Sequence, residues 1–413
     1  VDLVQIKPTI DHKSQCPHCQ TPLTDYHLLW QGIHVCVAST CSGCGADIVE
    51  DLPVGQSRYT PFQVDLSAGK VFGNASAAGW YGNPLLSSLR EPIVQELLEL
   101  RIEKFRSVED VVILNCVDFL YGHALLKLLN AAYHLQMDAE KGLIVVIQDF
   151  LRWMVPDGVA EIWTVPVSLS EGKNYYPNLE RQIKVQSERF NQVFLSPAVS
   201  HPHQFDISAF SRVEKHKFSS KILRVTFIWR EDRLWWNPPV GYTIPLRILH
   251  RLRLTPLVLW RQNMKIRRLF AHIRKRLPDA KFTVAGLGVS THFPAWIEDR
   301  RVKAFDALTE RELCSVYADS RLVMGVHGSS MLLPSGHTGM VLDLMPEGRW
   351  NNLAQDILYQ QGKRFRGDER LVSWRYRYLP LFCSTKTVSN VAISMLEKLT
   401  DAVRFYEAQV DEE

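Results

Sequence analysis

No apolar run in this 413-residue chain is long enough to cross a bilayer as a helix. There is no GxxxxGK[ST] loop, which argues against a P-loop nucleoside triphosphatase. No GxGxxG opens a strand–helix unit, which disfavours a nicotinamide site. Internal repeats and heptads of useful length are missing. Charge of one sign is scarcely in excess: 48 Lys and Arg stand against 44 Asp and Glu, a formal net charge of +4. That balance suits a small anionic ligand or weak contact with anionic lipid and requires neither. Cysteine is sparse, eight residues in all, and a chain of this size has no need of a disulfide scaffold. With no signal-peptide pattern in view, a cytoplasmic location is expected, with membrane association left open.

What is present describes a folded protein. The apolar fraction is 46% and the charged fraction 22%, ordinary values for soluble domains. The length accommodates two domains with full cores and a small appendage. Eleven tryptophans and thirteen tyrosines supply core and, at some positions, surface for carbohydrate or partners.

Four of the cysteines form two CxxC pairs, Cys16 with Cys19 and Cys41 with Cys44. Two thiolate knuckles separated by a hairpin-sized segment have the spacing of a zinc ribbon, because tetrahedral zinc takes four soft ligands and each turn offers two. Cys36 is a spare, and His18 and His34 are substitutes in reserve. A closed four-thiolate site leaves no open coordination position, so the expected role is structural, replacing the core that so short a module lacks. Ribbons of this kind also dock nucleic acid or proteins.

Beyond the ribbon the pattern is α/β. Residues 51–84, with GNASAAGWYGNP at 73–84, read as a linker, a surface loop or an ordered active-site arm. A helix is expected over 86–106, a strand at 111–115, a helix at 124–136, and strands at 142–147 and 160–165. This order predicts a parallel sheet whose strand ends present Asp118, His123, Asp149 and Arg152. Asp118 also reads as a helix cap, and His123 as a hydrogen-bonded residue of a helix's first turn. Residues 196–206 read as an interdomain connection, with His201 and His203 on the surface. A second α/β domain follows, with strands at 222–229 and 281–285. The first ends in Arg230, Glu231, Asp232 and Arg233, and the second in Gly286 and Gly288. An arginine there is placed to grip phosphate with two donors. Helix 259–277 carries seven cations, read mainly as a solvated face. Helix 306–317 is expected to be capped by Thr309, with Glu312 completing the box.

The stretch 322–344, LVMGVHGSSMLLPSGHTGMVLDL, holds the strongest site-like pattern. Two apolar strands flank a turn of Gly325, His327, Gly328, Ser329 and Ser330, with a short helix expected to break near 334–336. Small residues allow close approach of a ligand, and the start of a helix favours an anion. Arg230, Arg233, Gly286, His327, Gly328, Ser329, Ser330 and Asp343 together would surround an activated anionic donor. A carboxylate such as Asp343 or Glu347 would take ribose hydroxyls.

The run YADSRLVMGVHGSSMLLPSGHTGMVLDLMP resembles the donor-domain signature of inverting GT-B glycosyltransferases, and glycosyltransferase family 61 in particular. The resemblance lies in Gly325, His327, Gly328, Ser329, Ser330 and Met331, followed by Asp343 and Pro346. Arg230 after a strand and the helix 308–320 extend it upstream, and YGHALLKLLN with His123 resembles the family's helix-opening histidine. Alanine follows His123 where the family has tryptophan.

The resemblance implies a GT-B fold: two Rossmann-like domains facing a cleft, here with an added zinc ribbon. The expected divisions are 1–50 for the ribbon, 51–210 for the acceptor domain, 211–388 for the donor domain and 389–413 for a helix crossing back. It implies transfer of a sugar from a nucleotide sugar to a glycan or protein hydroxyl with inversion and without a catalytic metal. His123 would be the base, with Asp118 or Asp149 as acceptor binder or alternative base. Structural zinc would sit in the ribbon, and a protein or peripheral membrane partner could meet the ribbon or the basic helix; nucleic acid is not an expected partner. The competing reading is a zinc-ribbon nucleic-acid or protein-binding adaptor with a non-catalytic α/β body.

Overall fold

The computed structural model of the protein describes residues 2–200, 202, 205–231, 233–236, 255–288, 291–358 and 375–399. The chain divides into two compact units, Val1–Phe205 and Asp206–Glu413. No helix among the described residues is long and apolar enough to cross a membrane.

The strands of the first unit are β1 (Val4–Lys7), β2 (His27–Trp30), β3 (Val35–Thr40), β4 (Asp47–Asp51), β5 (Phe62–Asp65), β6 (Lys70–Gly73), β7 (Arg101–Lys104), β8 (Asp110–Asn115), β9 (Gly142–Gln148), β10 (Glu161–Val165) and β11 (Gln192–Leu195). One sheet runs β1-β11-β8-β9-β10-β7. Its four middle strands are parallel, and β1 and β7 close the edges antiparallel. The apolar runs of β8 and β9 are almost wholly buried, as strands covered on both faces must be. The second sheet, β2 to β6 in sequence order, is an antiparallel meander.

Several expectations are corrected here. Residues 51–84 are not a linker: they supply β5 and β6 and the helical segment that packs on them. The helix expected over 86–106 is a helix only at Asn83–Arg90, and RIEK becomes the edge strand β7. Pairing with β10 overrides the helical propensity of this segment. The helix expected at 124–136 is two helices, Tyr121–Leu128 and Ala131–Met137. Asn130 stands between them, its amide donating to the carbonyls of Leu126, Lys127 and Val199.

The second unit is built on β12 (Arg224–Arg230), β13 (Lys281–Leu287), β14 (Ile297–Val302), β15 (Ser320–Val326), β16 (Met340–Met345) and β17 (Tyr376–Pro380). Their order is β14-β13-β12-β15-β16-β17, and every neighbouring pair is parallel. Counted from β12 this is the doubly wound order 3-2-1-4-5-6, whose topological switch point falls between β12 and β15. Phe227 and Trp229 of β12, Met324 of β15 and Leu342 of β16 share a core with Ile266, Phe270 and Ile273 of the helix Thr255–Arg276. Helix Ala307–Asp319 is capped by Asp306, with Thr309 completing the box, rather than by Thr309 itself. Helix Leu332–His337 passes through Pro334 without breaking, since proline in the first turn costs no hydrogen bond. Of the expected terminal helix, Thr385–Ser394 and Met395–Leu399 are helical, and 400–413 lie outside the described residues, as do His201, His203 and Asp232.

Candidate functional site

In the second unit, Arg230, Arg233 and the turn after β15 lie at the switch point, while Gly286 is on β13 and Asp343 on β16. The chain leaves β15 at Val326, and the His327 amide donates to the carbonyl of Leu344 at 3.0 Å. Gly328 follows with φ +143°, in the region that favours glycine. Nη1 of Arg233 donates to the His327 carbonyl at 2.9 Å. A Cβ on Gly328 would lie 1.4 Å from that same nitrogen, so any other residue would displace the guanidinium. Ser329 and Ser330, half-buried, begin the single-turn 3-10 segment Ser329–Met331, which runs into the helix Leu332–His337. Arg230, also half-buried, ends β12 beside this turn.

His327 and Asp343 lie inside the core. They are 1% and 0% exposed, and Nδ1 of His327 stands 3.2 Å from Oδ2 of Asp343. Asp343 pairs across the ladder with Gly325, so the strand register brings the two side chains together. A ligand outside the turn does not reach a carboxylate this deep in the present conformation. Gly286 and Gly288 have a packing role. Their φ values are +116° and +121°, and a Cβ on either would come within 2.3 Å of Trp229. They let β13 lie close against the end of β12.

Asp118, at the carboxyl end of the first unit's sheet, is 2% exposed and is bound by Lys127 Nζ at 2.9 Å. It also accepts from the Leu120 amide at 3.0 Å, which fixes the entry to the helix Tyr121–Leu128. Nδ1 of His123 stands 3.7 Å from Asp118 Oδ1, and the imidazole is partly exposed. Asp149 is not part of this group: it is more than half exposed and pairs with Arg101 on β7. Arg152 grips Glu103 with two bonds, at 2.5 and 2.6 Å. Asp149 and Arg152 therefore tie down the edge strand.

Two neighbours of Asp118 escaped sequence reading. Lys127 lies within an apolar helical run, a signal that marks a buried charge in search of a partner. Tyr81 comes from the segment read as a linker; burial and the Asp118 charge push its hydroxyl above the usual range. A serine–histidine–aspartate chain also went unnoticed, with His134 Nε2 at 2.6 Å from Ser196 Oγ and Nδ1 at 2.7 Å from Asp138. Ser196 is 0% exposed, so this chain braces the end of β11 and offers no nucleophile.

The four CxxC cysteines converge. Sγ atoms of Cys16 and Cys44 are 3.6 Å apart, those of Cys19 and Cys41 3.5 Å, and all four lie within 4.8 Å of one another. Ligands at about 2.3 Å from a tetrahedral zinc would stand about 3.8 Å apart, so the set is compatible with a structural zinc site. Each knuckle closes alike: Gln20 N donates to Cys16 O at 2.9 Å and Gly45 N to Cys41 O at 2.8 Å, with positive φ at Gln20 and Gly45. Cys36 is separate, buried beside Asp51, and His34 pairs with Asp51 rather than with the thiols. On the basic helix, Lys265 donates to Trp235 O, Arg274 lies over the Trp296 ring and Arg276 pairs with Glu397, so part of its charge is engaged within the fold.

No family model matches the chain, and no curated protein does. Among solved structures, it is similar to a protein named as a UDP-N-acetylglucosamine 2-epimerase from Listeria monocytogenes, with 9% identity, TM-score 0.27, and coverage of 69% of this chain and 72% of that one. It is also similar to the iron-containing dodecameric glycosyltransferase TibC from enterotoxigenic E. coli, with 10% identity, TM-score 0.29, and coverage of 85% and 83%. Likeness at these scores is too slight to carry an argument, so the chain is read from its own geometry.

Proposed function

We propose that this protein is a nucleotide-sugar-dependent glycosyltransferase of GT-B type, acting with inversion on a glycan or protein hydroxyl. The observation that carries the reading is the position of the Arg233–Gly328 turn at the switch point of a fully parallel 3-2-1-4-5-6 sheet. Ligands of doubly wound sheets bind in that crevice. The donor diphosphate would lie against Gly328, Ser329 and Ser330, with Arg230 and Arg233 neutralising the charge that builds on the leaving oxygen. This division of labour leaves no step that requires a catalytic metal. His327 and Asp343 would act as a support, fixing the turn from within the core.

In this reading the first unit supplies the acceptor chemistry. His123 takes the proton of the acceptor hydroxyl while the acceptor oxygen bonds to the anomeric carbon and the nucleotide diphosphate departs. Asp118 flanks the imidazole at 3.7 Å. The resemblance to family 61 supports this assignment, and the cysteine set supports structural zinc in the ribbon.

The test is a thermal-shift panel of UDP-, GDP-, CMP- and ADP-sugars, with and without EDTA. Stabilisation by at least one donor, unaffected by EDTA, is the expected result. If no nucleotide or nucleotide sugar stabilises the chain, the donor assignment fails.

A further inference from the structure

The segment 74–90 is clamped to the ribbon's sheet. Asn74 caps the turn Ala75–Ala77, its side chain accepting from the Ala77 amide at 2.8 Å. Ala78–Gly82 then forms a π-helical turn that leads into Asn83–Arg90. Such turns are rare and concentrate at functional sites. Gly82 holds the arm down, since a Cβ there would meet Val71 Cγ1 at 2.4 Å and Phe62 at 3.2 Å. Ala77 and Leu85 are fully buried and anchor the arm on either side of that turn.

The clamp presents two successive aromatics differently. Trp80 is 63% exposed. The Tyr81 ring packs edge-on to that of His34, with centroids 6.1 Å apart. The β2–β3 turn beside His34 reaches the carboxyl end of β8, where Asn115 Nδ2 donates to Gly32 O at 2.8 Å and Ile33 O at 3.2 Å. Through His34 and this turn, Tyr81 stands at the end of the sheet that carries Asp118; burial first, and the Asp118 charge second, raise its hydroxyl pKa.

We propose that Trp80 and Tyr81 form an acceptor subsite for a neutral pyranose ring, beside the Asp118–His123 pair. The proposal rests on the glycosyl-transfer reading. An exposed indole offers a flat apolar face for the C–H face of a sugar, and the adjacent phenol offers a polar tip for its hydroxyls. Lys127 already balances Asp118, so no further charge is called for from the acceptor.

The test is calorimetry of the full chain and its Trp80→Ala and Tyr81→Phe variants against maltotetraose, cellotetraose, xylotetraose and chitotetraose, alongside the thermal shift by nucleotide sugars. At least one tetrasaccharide is expected to bind the parent chain. Trp80→Ala should weaken it by about tenfold or more, and Tyr81→Phe by less, as for loss of an aromatic anchor. The nucleotide-sugar shift should be the same in all three proteins. The proposal is overturned if no tetrasaccharide binds the parent chain or if Trp80→Ala binds as the parent does. Trp80-dependent tetrasaccharide binding without any nucleotide-sugar shift would uphold the subsite and reject the donor assignment.

Discussion

Nη1 of Arg233 sits 1.4 Å from the point where any side chain on Gly328 would begin, while donating to the carbonyl of His327. The arginine and the glycine form one device: the missing Cβ lets a cation lie flat on the turn that leaves β15. Gly328→Ala must therefore displace the arginine as well as strain the backbone. We expect a stability loss of about 1–3 kcal/mol and loss of nucleotide-sugar binding. In the double variant Gly328→Ala, Arg233→Ala the clash is removed, so stability should recover in part while binding stays lost. Chemical denaturation and calorimetry on the parent, Gly328→Ala and the double variant check this.

His123 is the candidate base. His123→Ala should lower turnover by about 10²–10⁴-fold, the range of general base catalysis, and leave the affinity for nucleotide sugar unchanged. Steady-state kinetics with a cleaved-donor readout would decide; unchanged turnover removes His123 from the chemistry.

Zinc analysis addresses the ribbon. One tightly bound zinc per chain is expected from the four thiols, and Cys41→Ser should lower both zinc content and melting temperature. Because the β2–β3 turn contacts Asn115, hydrogen exchange at Asn115 and its neighbours should also rise when the metal is stripped.

His337 gives the second unit a pH dependence. It is buried, its Nε2 within 2.8 Å of Ser211 Oγ and its Nδ1 bonded to Leu333 O, and burial lowers its pKa from 6.5 to about 4. The unfolded chain takes the proton first, so stability is full above pH 6.5 and falls as pH drops towards 4. The loss is at most roughly 3 kcal/mol at about 1.4 kcal/mol per pH unit. Burial lowers the pKa of His216 to about 4 as well, so thermal melts between pH 7.5 and 4 should show the decline, His337→Gln should reduce it, and the double variant His216→Gln, His337→Gln should flatten it.

Much of the second unit was legible in the sequence, because its buried parallel strands are continuous apolar runs such as RVTFIW and LVMGV. The edges were not. Strand β14 reads IEDRRV, with the charged residues that solvent-facing edges carry, and β7 reads as helix until its partner β10 is known. The turn 327–330 was legible through its small residues, yet burial of His327 and Asp343 was not, since a local pattern does not say which side chains a register turns inward. Lys127 meets Asp118 only once the helix Tyr121–Leu128 is folded against the end of β8, and Tyr81 reaches this end of the sheet through the β2–β3 turn.

The central claim is that the Arg233–Gly328 turn holds a nucleotide diphosphate. Calorimetric titration of UDP-, GDP-, CMP- and ADP-sugars into the parent chain and into Arg233→Ala tests it directly. The account predicts that one donor binds the parent chain and binds Arg233→Ala at least about tenfold more weakly, in keeping with loss of a charge-assisted contact. Equal binding by the two proteins, or no binding by either, would contradict it.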